Sequence, residues 1–474
     1  MQFEIVIVGG GIVGLQTAWH LREAGIRRIA VIEQGAAGSG ATSHGAGFLS
    51  HFTWNPVDAR LVRRSAELYA AQQAELGGSF FRVTGSYLLV SQAPAGASGT
   101  GPAGPAGRFN APEAGAAARQ AAGNPKGHRA TGRQDRPDQD RQDPPGTGQP
   151  EGPLPDPAAV AAQMAARAAM VRREGIAVED VAPAEGAAQL PGWNWADVVA
   201  AWFVPGDGTL LPGEVARTLA RRLRQREVTV LEETAVEELG LGHGRGGPAV
   251  AGVRTAAGPI AADAVVVATG VWTRPLLQTA GLDAPIKPYR TQLSFWALPE
   301  GMDPGDVPPL HDVTGEYYWL PREGLLAVGD GTQLVEQDPR AFRREPDPAF
   351  LEASRRRLEH RLPAARGAQL VRGWAHLCDA TPDRRPLLGP YGGVEGLHLA
   401  VGFNGFGVMR APAVGELVAR FVLGEEPALG GRPLEGAETL RAARFSGFVD
   451  FPMEQGFNTA GESPAGTPPS VPKE

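Results

Sequence analysis

Cysteine is almost missing from this 474-residue chain, in which Cys378 stands alone. A single thiol excludes an internal disulfide, a cysteine zinc cluster and a CxxC redox pair, and no metal site is expected. It is compatible with a reducing compartment. Lysine is nearly as scarce: only Lys126, Lys287 and Lys473 stand among 45 basic residues, so a lysine-dependent mechanism has few candidates. No apolar run approaches the ~18 residues that span a bilayer. The chain opens on an apolar strand with no basic leader or cleavage site. These absences predict a cytoplasmic protein with no transmembrane segment. Positive charge is not in excess either, and a net charge of −7 argues against a nucleic-acid partner.

Glycine and proline are abundant instead, at 64 and 42 residues, and they are unevenly placed. The stretch from Gln92 to Pro157 holds 24 of them, with Phe109 and Leu154 its only large apolar residues. Such a stretch buries too little surface to offset its ordering entropy. Residues 92–157 are therefore expected to be a disordered low-complexity insert, a surface extension and not a domain linker. The Gly/Pro-rich tail 457–474 is expected to be disordered as well. What remains, roughly 400 residues, is ample for a substantial core.

The apolar runs at 3–8, 29–33, 264–269 and 397–401 read as strands buried on both faces. Further strand-like runs lie at 86–90, 228–231, 234–239, 292–297, 316–320 and 325–328. Helical spacing marks the segment from Leu15 to Gly25 and the segments 58–76, 158–174, 214–226 and 413–423. Pro412 is expected in the first turn of the last of these. The turn between the first strand and helix reads Gly9-Gly10-Gly11-Ile12-Val13-Gly14. Its GxGxxG spacing gives a tight turn, lets a pyrophosphate approach the backbone and lets helix pack on strand. Glu33, 19 residues past Gly14 and followed by Gln34, ends the second strand, where an acid binds ribose hydroxyls. A bound dinucleotide follows from strand, helix and acid together. NAD and FAD share this motif.

Five segments extend the motif: IVIVGGGIVGLQTAWHL at the start, GSGATSHGAG (38–47), DAVVVATGVWTRPLL (263–277), ATPDRRPLLGP (380–390) and GLHLAVGFNGFGVMRAPAVGELVARFVLG (396–424). Together they resemble the FAD-dependent amine and amino-acid oxidoreductases with the D-amino-acid oxidase fold, a family that includes glycine oxidase, sarcosine oxidase and dimethylglycine dehydrogenase. The resemblance implies an α/β fold in which a Rossmann-like FAD-binding domain is interleaved with an α+β substrate domain on a mostly antiparallel sheet. The FAD-binding parts would be 1–85, 205–285 and 370–440; the substrate parts would be 86–91, 158–204 and 286–369.

The same resemblance places FAD against Gly9 to Gly14, Glu33, Gln34, the loop Gly40-Ala41-Thr42-Ser43-His44, Val236, Ala268-Thr269-Gly270 and Trp272. The turn Asn404-Gly405-Phe406-Gly407-Val408 would present a helix N-terminus to the pyrimidine end of the flavin, where reduction places negative charge. His44 occupies the position at which dimethylglycine dehydrogenase relatives attach flavin covalently, although Ser43 stands where those proteins carry tryptophan. Cys378 sits two residues past the sarcosine oxidases' attachment cysteine, a position held by His376, and reads as a buried inert thiol.

The substrate implied is an amino acid or N-methyl amino acid. Its carboxylate would be held by arginine and tyrosine, with Tyr317 or Tyr318, Arg322 and Arg290 the candidates. The reaction implied is hydride transfer from the carbon beside a neutral amine to flavin N5, after which the imine hydrolyses. The scarcity of lysine favours a dehydrogenase over an oxidase, with the electron acceptor undefined. The alternative is an FAD-binding electron-transfer subunit of a larger complex, with insert and tail as docking segments for a protein partner.

Overall fold

The computed structural model describes residues 2–92 and 156–453, so the expectations for the insert and the tail fall on residues outside this range. The first of two large sheets is built on parallel strands. Gln2–Val8 lies between Gly258–Val267 and Ile29–Ile32, with Thr229–Leu231 beyond the latter and Leu397–Val401 parallel to the end of Gly258–Val267. These are the continuous apolar runs, and they are fully covered: Val6, Ile7, Val31 and Val265 are wholly buried. An antiparallel hairpin, Val236–His243 with Pro248–Thr255, extends the sheet past the residues that read as a strand.

Helix Ile12–Glu23 is buried on nearly every side because it packs between helices Pro212–Gln225 and Gly407–Val422. The crossing with the latter is close: a Cβ on Gly415 would lie 2.6 Å from the Gln16 backbone.

The second sheet has nine strands. Lys287–Ala297, Leu325–Gly329, Tyr317–Arg322 and Leu310–Asp312 run antiparallel in that order, followed by Ser86–Ser91, which is parallel to Leu310–Asp312, and then Val198–Val204 and Glu179–Val181. Five of the nine strands fall outside the runs read as strands: Glu179–Val181, Val198–Val204, Leu310–Asp312, Gln333–Glu336 and Gln369–Ala380. Gln369–Ala380 pairs along the whole of Lys287–Ala297, which puts residues 370–380 in this sheet and not with the FAD-binding segment that was expected to begin at 370.

The residues that flank the insert pack together. Leu88 and Val90 share one core with Val160 and Met164 of helix Pro157–Arg173.

Pro412 is a second departure. The last helix begins five residues earlier, at Gly407, so the proline sits inside it. Its missing N–H would have bonded the Val408 carbonyl. That oxygen instead accepts from the Tyr69 hydroxyl at 2.6 Å, and the next N–H, of Ala413, donates to Ser65 Oγ at 3.2 Å. Tyr69 and Ser65 lie one turn apart on helix Pro56–Leu76.

Candidate active site

The turn after the first strand closes because it lacks side chains. A Cβ on Gly9, where φ is +109°, would lie 2.4 Å from the Ala268 carbonyl oxygen; one on Gly14 would lie 2.0 Å from that of Gly9. Helix Ile12–Glu23 then starts with no side-chain cap. The Ile12 N–H donates to Thr42 Oγ1 at 3.0 Å, while the other first-turn N–H groups have no intrahelical acceptor. They form part of the wall of a cavity of about 500 Å³, where they present the positive end of the helix dipole.

From the first-sheet side this cavity is lined by Gly9, Gly11, Ile12, Val13, Glu33, Gln34, Thr234, Val236, Ala268, Thr269, Gly270 and Trp272. The loop Gly40-Ala41-Thr42 with His44, and the turn Gly405, Gly407 and Val408, add further walls, and the second sheet contributes Thr291, His376, Leu377, Cys378 and Asp379. Helix Gly407–Val422 also lacks a side-chain cap, so a second uncapped helix N-terminus opens on the same space.

Five of the expected cofactor residues shape this cavity without lining it. The Gly10 N–H donates to Glu33 Oε2 at 2.7 Å, and Gly35 N–H donates to Oε1 at 3.0 Å, so the acid expected to hold a ribose also braces the turn. Gly14 is packed under Gly9. The Ser43 hydroxyl donates to the Gly38 carbonyl at 2.6 Å. Asn404, in the left-handed region at φ +53°, donates to Gly402 O and Thr381 Oγ1 and accepts from Thr381 N–H. The Phe406 ring packs on Trp54 at 4.5 Å.

His44 sits where the first-sheet loop meets the second sheet. Its ring stacks on His376 at 4.2 Å and stands edge-on to Trp374, and its Nδ1 is 2.8 Å from the Gly40 carbonyl oxygen. With Nδ1–H donating there, Nε2 keeps the lone pair. Burial holds the His44 ring below the usual imidazole range and takes His376 down to about 4, so both rings are neutral at pH 7. Cys378 is pushed up to about 12 by burial and is a thiol, as its sequence reading expects.

Asp379 was not singled out by sequence. Its two carboxylate oxygens accept from the Gly402 and Phe403 N–H groups at 2.6 and 3.2 Å, tying the second sheet to the turn before the last helix. Burial raises it to about 6, against those two hydrogen bonds.

The arginines expected to clamp a carboxylate are committed elsewhere. Arg290, 3% exposed, donates to Asp347, Gln333 and the carbonyls of Arg343 and Glu345. Arg322 donates to the carbonyls of Ser43, Gly45 and Ala46 and so holds the His44 loop in place. The Tyr318 ring lies against Gly329, where a Cβ would come within 2.3 Å of its hydroxyl. Tyr317 is buried in the apolar core on the other face. None of the four lines the cavity. The physical reason is strand register: it turns Arg290 toward the 343–347 loop and Arg322 toward the 43–46 loop, and the distant chain segments that meet them leave no pattern in the linear sequence.

A His/Asp pair also forms that no local spacing announced. Buried Asp207 accepts from the His51 N–H at 2.7 Å and from Ser86 Oγ at 2.6 Å, and lies 2.9 Å from His51 Nδ1.

Known proteins agree with this architecture. Residues 4–421 match the family model of the DAO FAD dependent oxidoreductases. Glycine oxidase of Pseudomonas putida is 33% identical over 39% of this chain and 48% of its own length. The 4-methylaminobutanoate oxidase (formaldehyde-forming) of Paenarthrobacter nicotinovorans is 24% identical over 93% of this chain and 45% of its own. The chain thus spans about half the length of these curated relatives. Among solved structures, L-proline dehydrogenase from P. horikoshii superposes with a TM-score of 0.71 at 23% identity, covering 94% of this chain and 99% of that one. Glycine oxidase from Geobacillus kaustophilus gives 0.69 at 21%, with the same coverage. Among the described residues no helix is long and apolar enough to cross a membrane. With its glycine turn, its two uncapped helix ends and a family match over most of its length, the chain belongs to the DAO family of FAD-dependent oxidoreductases.

Proposed function

We propose that this protein oxidises the C–N bond of an amino acid or N-methyl amino acid, of the glycine, sarcosine or D-amino-acid type, and that it works as a dehydrogenase in preference to an oxidase. The observation that carries the reading is one cavity with a dinucleotide cradle on one sheet and a wall of Thr291, His376, Cys378 and Asp379 on the other. FAD, when bound, supplies the hydride acceptor for the carbon beside the amine.

The residues present fit that cofactor. Gly9, Gly11 and the uncapped helix at Ile12 would hold the pyrophosphate, Glu33 and Gln34 the ribose, and Val236 with Ala268 to Gly270 and Trp272 the adenosine side. Gly405, Gly407 and Val408 would present N–H donors to the ring's pyrimidine end. The substrate amine must arrive neutral. The imine formed then hydrolyses in water and needs no dedicated acid.

His44 is the residue from which a covalent link would form, because its Nε2 is an unprotonated nitrogen in a neutral ring. Precipitating the protein with acid settles it: colour in the pellet means a covalent flavin, colour in the supernatant a dissociable one.

The dehydrogenase preference rests on lysine. Lys287, the one lysine among the described residues, donates to the Phe451 carbonyl at 2.8 Å and pairs with Asp450 and Glu336, away from the cavity lining.

The test of the reading is anaerobic bleaching of the purified protein's flavin by glycine, sarcosine, dimethylglycine, proline and D-amino acids. Bleaching by one class names the substrate, and a slow return of colour in air identifies a dehydrogenase. A yellow protein that no amine bleaches would overturn the reading in favour of an electron-transfer subunit that needs a protein partner.

A further inference from the structure

The second sheet reaches back over the cavity through the loop 337–347, which joins strand Gln333–Glu336 to helix Pro348–Arg361. Backbone and side-chain bonds fasten this loop at several points. The Gln337 N–H donates to the Pro288 carbonyl at 2.9 Å, the Ala375 N–H donates to that of Arg344 at 2.7 Å, and Arg290 donates to those of Arg343 and Glu345. Phe342 sets its ring edge-on to His376 at 5.8 Å. Arg340, on the same loop, is exposed and lines the cavity, with its guanidinium 5.9 Å over the Trp272 ring of the first-sheet wall. A loop of one sheet thus meets both walls.

Among the described residues that line the cavity, Arg340 is the one arginine or lysine. His44 and His376 beside it on the lining are neutral rings. No carboxylate among the described residues forms an ion pair with Arg340; Asp338 accepts from its backbone N–H at 2.9 Å, not from its guanidinium. The remaining charged groups of the lining, Glu33, Glu237 and Asp379, are all acids. An anion in this cavity therefore meets three carboxyl groups and a single cationic side chain.

The place of Arg340 along the cavity says which anion that is. Trp272 ends the turn Gly270–Trp272, and its N–H donates to the Thr269 carbonyl at 3.0 Å. That turn follows Ala268, whose carbonyl oxygen a Cβ on Gly9 would approach to 2.4 Å. Trp272 therefore stands on the Gly9 side of the cavity, with the cradle for the diphosphate, and not on the Gly405–Gly407 turn. A helix N-terminus supplies only about half a positive charge, whereas the FAD diphosphate brings two negative ones. The helix at Ile12 leaves most of that charge unbalanced, and a guanidinium fork matches phosphate oxygens in pairs.

We propose that Arg340 is a clamp for the FAD diphosphate, supplied to the first sheet's cradle by a loop of the second sheet. The inference rests on the family's cofactor and goes beyond the reading under Proposed function, because it holds whichever amine is oxidised. Arg290, which fastens the loop, then serves to keep the cofactor in place. A phosphate and a substrate carboxylate offer a guanidinium the same chemistry, so the test separates the two.

The experiment uses the FAD-loaded full chain and compares Arg340→Gln and Arg340→Lys with the parent. One readout is FAD release on dilution, followed by flavin fluorescence. The other is the phosphorus-31 spectrum of the bound FAD, which reports on the diphosphate even if the flavin is attached to His44. Arg340→Gln should weaken FAD by about tenfold, the size expected for one charge-assisted hydrogen bond, and should shift the phosphorus resonances. Arg340→Lys keeps the charge without the fork and should recover part of the affinity. FAD affinity of the parent should fall with salt more steeply than that of Arg340→Gln, because an exposed charge is screened. A residue that merely shapes the loop would leave the two salt slopes equal.

Unshifted phosphorus resonances in folded, yellow Arg340→Gln protein overturn the clamp, and so do equal salt slopes. A raised KM for the amine with unshifted resonances gives Arg340 to the substrate carboxylate and overturns the cofactor assignment. If the flavin proves covalent, the resonances alone decide. They need no turnover, so a protein that oxidises no amine but shows the shift in Arg340→Gln would sink the enzymatic reading and leave the clamp standing.

Discussion

On the first-sheet wall of the cavity the decisive atoms are backbone: the N–H groups of an uncapped helix and the closely packed turn at Gly9 and Gly14. On the second-sheet wall they are side chains, His376, Cys378 and Asp379, brought opposite the first wall by pairing Gln369–Ala380 with Lys287–Ala297. A backbone wall tolerates almost any neighbour but no added atom at its glycines. A side-chain wall tolerates changes of size but depends on register and on partners. The two walls should therefore fail differently when altered.

The largest expected effect is on the backbone wall. Gly14→Ala should give colourless or insoluble protein, read as the ratio of flavin to protein absorbance, because its Cβ meets a carbonyl oxygen that cannot retreat. A yellow Gly14→Ala protein would break the distinction outright.

On the other wall, Arg290→Met leaves Asp347 without its buried partner and should cost about 3–5 kcal/mol. Arg322→Ala, which releases three carbonyls of the His44 loop, should cost about 3 kcal/mol. Both effects belong in the denaturation midpoint. A large rise in KM at unchanged stability would return these arginines to the role of carboxylate clamp.

Asp379 gives a pH signature. Burial holds it at about 6 against an ordinary 3.8, so within that interval the folded state binds more protons than the unfolded state. Stability should fall as pH rises through the interval, by at most about 3 kcal/mol. Asp379→Asn should flatten that slope; an unchanged slope would show that the carboxyl does not titrate there. The smallest effect is expected from Glu33→Gln, which keeps an acceptor for Gly10. FAD affinity should drop about tenfold, measured by flavin release on dilution.

The two walls also differ in how much of them could be read from the sequence. The glycine spacing, the apolar strands and Glu33 are local signals within one β-α-β unit, and the structure builds the turn from them. The nine-stranded sheet was anticipated only as mostly antiparallel. Gln369–Ala380 was missed because Arg372 and Gly373 break up its apolar residues, so no continuous apolar run marks it. Arg290 and Arg322 were singled out by residue type. What each one touches depends on loops 53 residues ahead and 277 residues behind in the chain, and no local pattern encodes that. The His51–Asp207 pair escaped notice for the same reason.

Pro412 shows what such distant dependence means for the history of the chain. The Tyr69 phenol stands in for the backbone donor that proline removed from the Val408 carbonyl. If proline is replaced first, that carbonyl gains a second donor, which its two lone pairs accept. If tyrosine is replaced first, a buried acceptor is orphaned beside the cofactor turn. The order of the two substitutions therefore sets the stability of the intermediate: losing Pro412 first keeps the Val408 carbonyl paired, whereas losing Tyr69 first costs about 1–3 kcal/mol, a dependence between residues 343 positions apart in the sequence.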